Sequence, residues 1–288
     1  MEYHQDRFDD YSLMIYNDEK LVALLPANRD EKKIYSHQGL SYGGLLINDK
    51  LRLENYIEAF KALLIFLQNE SINELHLKKS PFIYHKTLSD EISYVLSALE
   101  SQQVSFDSYF VIDNVLNYQP NRNRKRAIKL SEKQGVVISD DGIDIFWKSV
   151  LEHNLVAKFG VKPVHTIEEI NYLMEAFPEH IKFYSAKSNN EVLAGAVLFI
   201  TDNVVHFQYS SGTEDRAENG SLDALFHFII NKYQHKKYIS FGSSSTDKSL
   251  KIDSGLAYWK ESFGARVMPQ EQYAIQTKNH FKLDTIFK

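Results

Sequence analysis

The order of strands and helices in this chain repeats, and a repeat constrains a fold strongly because each copy has to bury an apolar face of its own. Leu13–Tyr16, the polar turn Asn17–Lys20 and Leu21–Leu25 read as a hairpin, and Lys33–Ser36 as a third strand. After a Gly- and Ser-rich loop, a helix is expected over Leu53–Gln68, with Tyr56, Ala59, Phe60, Leu63, Leu64 and Leu67 on one face. A strand at Leu75–Leu77, a helix over Asp90–Leu99 and a strand at Tyr109–Ile112 complete the unit. The same order returns as strands Lys182–Ala186, Val192–Ile200 and Val204–Tyr209, helix Leu222–Tyr233, strand Tyr238–Ser240, helix Gly255–Phe263 and strand Gln272–Gln276.

The second copy carries additional elements before its strands. These are a strand at Val136–Ile138, a helix over Gly142–Asn154, and a helix over Thr166–Ala176 that Thr166 and Glu169 open as a capping box. The first copy begins a dozen residues after Met1, so its opening elements read as short or missing. At 288 residues the chain has room for two cores, and the repeat divides it into 1–118 and 119–288.

Strand, two helices, a three-stranded antiparallel meander, then helix and strand twice is the order of the GNAT acyltransferase fold. The fold class expected is therefore α/β (α+β): two tandem GNAT-like domains with mixed, mostly antiparallel sheets flanked by helices. Three strings narrow the likeness: His37-Gln38-Gly39-Leu40-Ser41-Tyr42-Gly43-Gly44, the basic run Arg122–Ala127 continuing to Gly135, and Gly255-Leu256-Ala257-Tyr258-Trp259-Lys260-Glu261-Ser262-Phe263-Gly264. Together they resemble the FemABX-like branch, tandem GNAT proteins that include peptidoglycan-bridge aminoacyl transferases and acetyltransferase-like proteins of polysaccharide pathways. Trp259 stands where that pattern has Phe, and no heptad-repeat arm is present.

The resemblance implies an acyltransferase that moves an acyl or aminoacyl group onto an amine or hydroxyl of a sugar or peptidoglycan precursor. Its donor is acetyl-CoA or another acyl-CoA, with aminoacyl-tRNA as the other donor. Direct transfer needs positioning, oxyanion donors and a path for a proton, not a fixed nucleophile. Catalytic roles fall to His37, Tyr42 and Tyr209, and acceptor contacts to Gly39, Gly43, Gln208, Lys125, Arg126 and Lys260. The donor's phosphates would sit at the helix start beyond Ser211, at Arg216, Gly220 and Ser221.

Each assignment has a plainer counterpart. Gly39, Gly43 and Gly44 also suit a tight bend, and Ser221 also suits an ordinary helix cap. Asp215 and Glu218 would repel a pyrophosphate. His206 is as readily a core histidine, and the basic run as readily a solvated helix face. The apolar positions Leu256, Trp259 and Phe263 are read as turning Lys260 outward. A catalytically inactive duplicated domain that binds a nucleotide-sugar or a protein is the other function the sequence allows.

Composition excludes several classes. With no cysteine, disulfides, thiolate metal sites and a cysteine acyl relay are impossible. The scattered histidines lack ligand spacing, so no metal is expected. A formal charge of −5 argues against a chain coated in cations for nucleic acid, while leaving room for a local basic patch. Apolar runs are too short to span a bilayer, and the first residues have no signal pattern, so the chain reads as cytoplasmic.

Overall fold

The computed structural model describes residues 6–48, 50–113, 118–246 and 251–287. These form two compact units, one of 6–107 with 269–287 and the other of 108–246 with 251–268. The division into halves 1–118 and 119–288 concerns the repeat and remains a proposal.

The first unit opens with β1 (Asp9–Asp10), β2 (Leu13–Asn17), β3 (Lys20–Leu25), β4 (Asn28–Asp30), β5 (Lys33–Tyr35) and β6 (Leu46–Ile47). Helix α1 (Leu53–Asn69), β7 (Glu74–Lys78) and α2 (Glu91–Ala98) follow, and β8 (Gln102–Asp113) leads out of it. The expected meander does not form as one sheet: β3 lies between β2 and β6, whereas β5 lies between β4 and β7. Pro26 follows β3 at once and cannot donate to a ladder, so the chain turns there into the other sheet. Helix α1 closes the core, with Ile57, Phe60, Leu64 and Leu67 fully buried, each contributing about 1.5–3 kcal/mol.

The second unit continues with α3 (Arg122–Lys133), β9 (Val137–Ser139), α4 (Ile143–Ile145), a π-helical stretch Phe146–Glu152, α5 (His153–Phe159) and α6 (Ile167–Ala176). Strands β10 (Ile181–Ser188), β11 (Glu191–Ile200) and β12 (Val204–Gly212) make the meander. Then come α7 (Arg216–Asn219), α8 (Ser221–Lys232), β13 (Tyr238–Ser243), the two-residue strands β14 (Ser245–Thr246) and β15 (Lys251–Ile252), α9 (Ser254–Glu261) and β16 (Arg266–Gln276). The sheet order is β8-β13-β12-β11-β10-β9. Thr166 and Glu169 make the capping box of α6. The helix expected over Gly142–Asn154 runs to Phe159 and widens in the middle, where Phe146 lies flat on the backbone of Gly195. A Cβ at Gly195 would stand 2.4 Å from that ring.

The closing strands of the two copies are exchanged. Strand β8 pairs with β13, Ile112 opposite Ile239, while β16 pairs with β7, Ala274 opposite His76. The strand that ends the chain therefore completes the sheet of the unit that begins it. Among the described residues, no helix is long and apolar enough to cross a membrane.

Candidate functional site

Strands β12 and β13 run parallel and pair at Val204–Tyr238, Val205–Ile239 and His206–Ser240. Beyond that point each is held by a different neighbour. Strand β12 stays on β11 as far as Gly212, and Ser243 of β13 pairs with Tyr109 of β8. Register shifts help to part them: Val197 opposes Tyr209 and Leu198 opposes Phe207, leaving Gln208 as the extra residue of a bulge, and bulges bend the strand that carries them. A gap thus opens between 207–212 and 241–243.

At its apex, His206 Nδ1 lies 3.1 Å from Ser240 Oγ and the ring stacks on Tyr109. Burial, aided by the nearby Lys260 charge, lowers its pKa to about 4, so the ring is neutral at pH 7. Lys260 corrects the sequence reading. It is 4% exposed because it lies three residues from both Ala257 and Phe263, which pack on the core of the second unit, and so shares their side of the helix. Its Nζ donates to the carbonyls of Gly242 at 3.0 Å and Ser243 at 2.6 Å, above the ring of Phe110. Burial pushes its pKa down to about 7.

A cavity of about 460 Å³ opens at the end of β12, lined by Ser210, Ser211, Gly212 and Arg216, by Leu151, Asn154 and Lys158, and by Leu256 and Trp259. Asn154, which the sequence reading did not single out, donates to Ser211 Oγ at 2.7 Å and to the Gly212 carbonyl at 2.9 Å. It fixes the rim of the cavity to the helical layer. Arg216 reaches the cavity while one guanidinium nitrogen donates to the Thr213 carbonyl at 3.1 Å.

The expected phosphate turn has another geometry. The Gly220 amide donates to the Arg216 carbonyl, and the Ser221 amide to Asn219 Oδ1, both at 2.9 Å. Ser221 is fully buried, and a Cβ on Gly220 would stand 2.2 Å from the Ala127 carbonyl of α3. These amides are consumed within the protein and do not converge on an open site. Asp223, in the first turn of α8, is paired with Arg124.

Tyr209 is engaged further back on the same helical layer. Its hydroxyl lies 2.7 Å from His165 Nδ1, its ring is edge-on to Trp147, and burial raises its pKa. It fastens the segment before α6 and does not line the cavity. Lys125 and Arg126 project from the exposed face of α3.

In the first unit, β5 and β7 are the parallel pair, at Lys33–Glu74, Ile34–Leu75 and Tyr35–His76. Here the chain closes its own gap. The Ser36 amide donates to the His76 carbonyl at 2.8 Å, and Ser36 Oγ accepts from the Lys78 amide at 2.8 Å. Residues 37–42 loop out, and the Gly43 amide rejoins the Lys78 carbonyl at 2.8 Å. A Cβ on Gly43 would stand 2.0 Å from the Ser36 carbonyl oxygen.

His37 starts that loop with φ +63° and is 1% exposed. Its Nδ1 accepts from the Gly39 amide at 3.1 Å, so a neutral ring carries its proton on Nε2. Lys78 Nζ donates to the Leu40 carbonyl at 2.7 Å. Tyr42 stacks on Tyr84, and burial raises its hydroxyl to about 12. Ser36, His37, Gln38, Lys78 and Gln272 border a cavity of about 160 Å³. The structure thus gathers His37, Gly39, Tyr42 and Gly43 on one loop of the first unit, and Gln208, Ser211, Arg216 and Lys260 around the strand gap of the second. Among the described residues, no group of side chains is suited to hold a metal ion.

A tandem GNAT-like fold accounts for these features: mixed, mainly antiparallel sheets flanked by helices, each with a parallel strand pair at its centre. Within that class the fold is FemABX-like. A crystal structure of FemX superposes with a TM-score of 0.67 at 11% identity, covering 98% of this chain and 92% of that one. The structure of L-PGS from Bacillus licheniformis gives 0.56 at 12% identity, with coverage of 96% and 86%. A tandem GNAT protein from the clavulanic acid biosynthesis pathway gives 0.51 at 6% identity, with coverage of 96% and 86%. No family model matches the sequence, and no curated protein does.

Proposed function

We propose that the protein is an acyl- or aminoacyltransferase acting on an amine of a cell-envelope precursor, with its transfer site at the strand gap of the second unit. The observation that carries this is the gap itself, with a cavity at one flank and the buried Lys260 on the carbonyls of the other. In the transfer, the acceptor nitrogen attacks the activated carbonyl, the C–N bond forms, the C–O or C–S bond to the carrier breaks, and the nitrogen loses a proton. Lys260, with a pKa near 7, exchanges between protonated and neutral forms under working conditions, as a general acid–base must. Asn154, Ser211 and Arg216 would hold the donor arm.

The consumed amides at the start of α8 favour a carrier that places no diphosphate there. That supports an aminoacyl ester such as aminoacyl-tRNA over the acyl-CoA expected from sequence. The first unit has its gap filled by its own chain, so the transfer site is assigned to the second.

The test is transfer of a labelled aminoacyl group from tRNA, or a labelled acetyl group from acetyl-CoA, to amine-bearing peptidoglycan precursors, read by mass spectrometry. Amide product that forms with wild type and is lost in Lys260→Met supports the proposal. Failure with both donors while the protein stays folded would overturn it.

A further inference from the structure

Between Glu152 and Glu168 the chain carries no acidic residue, although Asp and Glu outnumber Lys and Arg over its length by 38 to 33. The interval holds α5, the connection 160–165 and the start of α6. From Val156 to Lys162 every residue is exposed, so this turn of chain stands out from the unit. Val156, Phe159, Val161 and Val164 are each more than half exposed, Val164 at 73%, and Lys158 and Lys162 are interleaved with them. Among the described residues, neither lysine joins an ion pair. Of the acids that begin α6, Glu169 is turned back onto the Thr166 amide. The projection is a built feature. Gly160 ends α5 at φ +66° with its amide on the Val156 carbonyl at 3.0 Å, and Pro163 fixes its own φ within the connection. His165 is tied to the Tyr209 hydroxyl through its amide at 3.3 Å and through Nδ1 at 2.7 Å. A connection fastened at both ends has no slack with which to fold its apolar side chains inward, so what it displays is set by the fold.

We propose that this projection is a membrane-contact surface that enters the interface of a bilayer rich in anionic lipid. The four apolar side chains meet the acyl boundary, while the two lysines lay their stems along it and keep their ammonium groups among the phosphates, as interfacial segments do. Charge complementarity selects this occupant: an acid-free patch in a net-acidic chain faces a negatively charged surface. A second copy fits less well, because a two-fold contact through the patch sets lysines against lysines. A folded partner fits less well too, since protein interfaces are depleted in lysine and their anchors are seldom valine. Leu155, Lys158 and Phe159 also line the cavity of this unit, so contact here brings the cavity mouth to the level of the headgroups. The surface goes beyond the transferase reading and does not depend on it.

The experiment is flotation of the full chain with vesicles of phosphatidylglycerol and phosphatidylcholine, and with vesicles of phosphatidylcholine alone. Binding is expected on the mixed vesicles and to be much weaker on the neutral ones, because each lysine near an anionic surface is worth about fivefold. Lys158→Gln with Lys162→Gln should therefore weaken binding to mixed vesicles roughly 25-fold. Val161→Ser with Val164→Ser should weaken it at least about tenfold, each methyl withdrawn from the bilayer being worth about fourfold. Lys20→Gln with Leu21→Ser, an exposed cationic and apolar pair on the first unit, leaves it unchanged. Phe159→Trp reads depth, through quenching of the added fluorescence by vesicles with brominated acyl chains. No binding to mixed vesicles, the same loss in the first-unit pair, or binding without quenching would overturn the proposal. Amide product that forms while vesicle binding fails would overturn the membrane contact and keep the transferase. Binding that depends on the projection, without amide product, would do the reverse.

Discussion

Replacing Lys260 by methionine should change how stability depends on pH, in a direction fixed by where the lysine sits. Its folded pKa is about 7 against 10.5 for a free lysine. Between those values the unfolded chain binds a proton that the folded chain does not, so stability rises with pH through this window and falls as pH drops toward 7. The slope is about 1.4 kcal/mol per pH unit, or roughly 3 kcal/mol between pH 7.5 and 9.5. Methionine fills much the same volume without a charge, so the variant should lack that contribution. It also strips the Gly242 and Ser243 carbonyls of their donor, at about 1–3 kcal/mol, but that offset barely varies with pH. Urea denaturation of both proteins at pH 7.5, 8.5 and 9.5 therefore reads the difference in slopes rather than in stabilities. Wild type should gain on the variant as pH rises. Parallel curves would mean that the ammonium remains charged in the fold and that Lys260 is not poised near neutrality.

Three other outcomes follow from the geometry. His206→Gln should flatten stability between pH 4 and 6.5, where wild type loses about 3 kcal/mol on acidification because the unfolded ring takes up a proton that the buried one refuses; thermal melts across that range check it. Gly43→Ala brings a methyl against the Ser36 carbonyl and should cost at least about 2 kcal/mol, measured by chemical denaturation. Asn154→Ala unpins Ser211 and Gly212 and should raise the donor KM with a smaller change in kcat, whereas an unchanged KM would remove Asn154 from the donor site.

Local signals in the sequence carried over well. The apolar period over Leu53–Gln68 became α1, and the Thr166/Glu169 pair became the cap of α6. Partner choice was not legible, because alternation in Tyr109–Ile112 and Gln272–Gln276 tells which face is buried and not which strand lies alongside. The π-helical widening depends on Phe146 meeting a glycine some 50 residues away, beyond any local pattern. In the candidate site, the glycines of the 37–44 segment did mark a tight return of the chain, yet their sealing of the first gap is a long-range event. Gly220 and Ser221 stood one residue off the phosphate-turn spacing, and α3 lies against Gly220. The burial of Lys260 was not legible because the carbonyls that receive it, Gly242 and Ser243, lie on a separate strand, and Asn154 lay in an ordinary polar stretch without a motif.

The exchange of β8 and β16 bears on how the chain can be made and cut. As synthesis proceeds, residues 6–107 leave the ribosome with the outer side of β7 unpaired, and the strand that covers it follows only after the whole second unit. A cut between the two repeats would leave the leading fragment with an open sheet edge, the kind that recruits other chains. Such a fragment should be rescued by supplying the terminal segment in trans. The two units are thus separate in their cores and inseparable in their assembly.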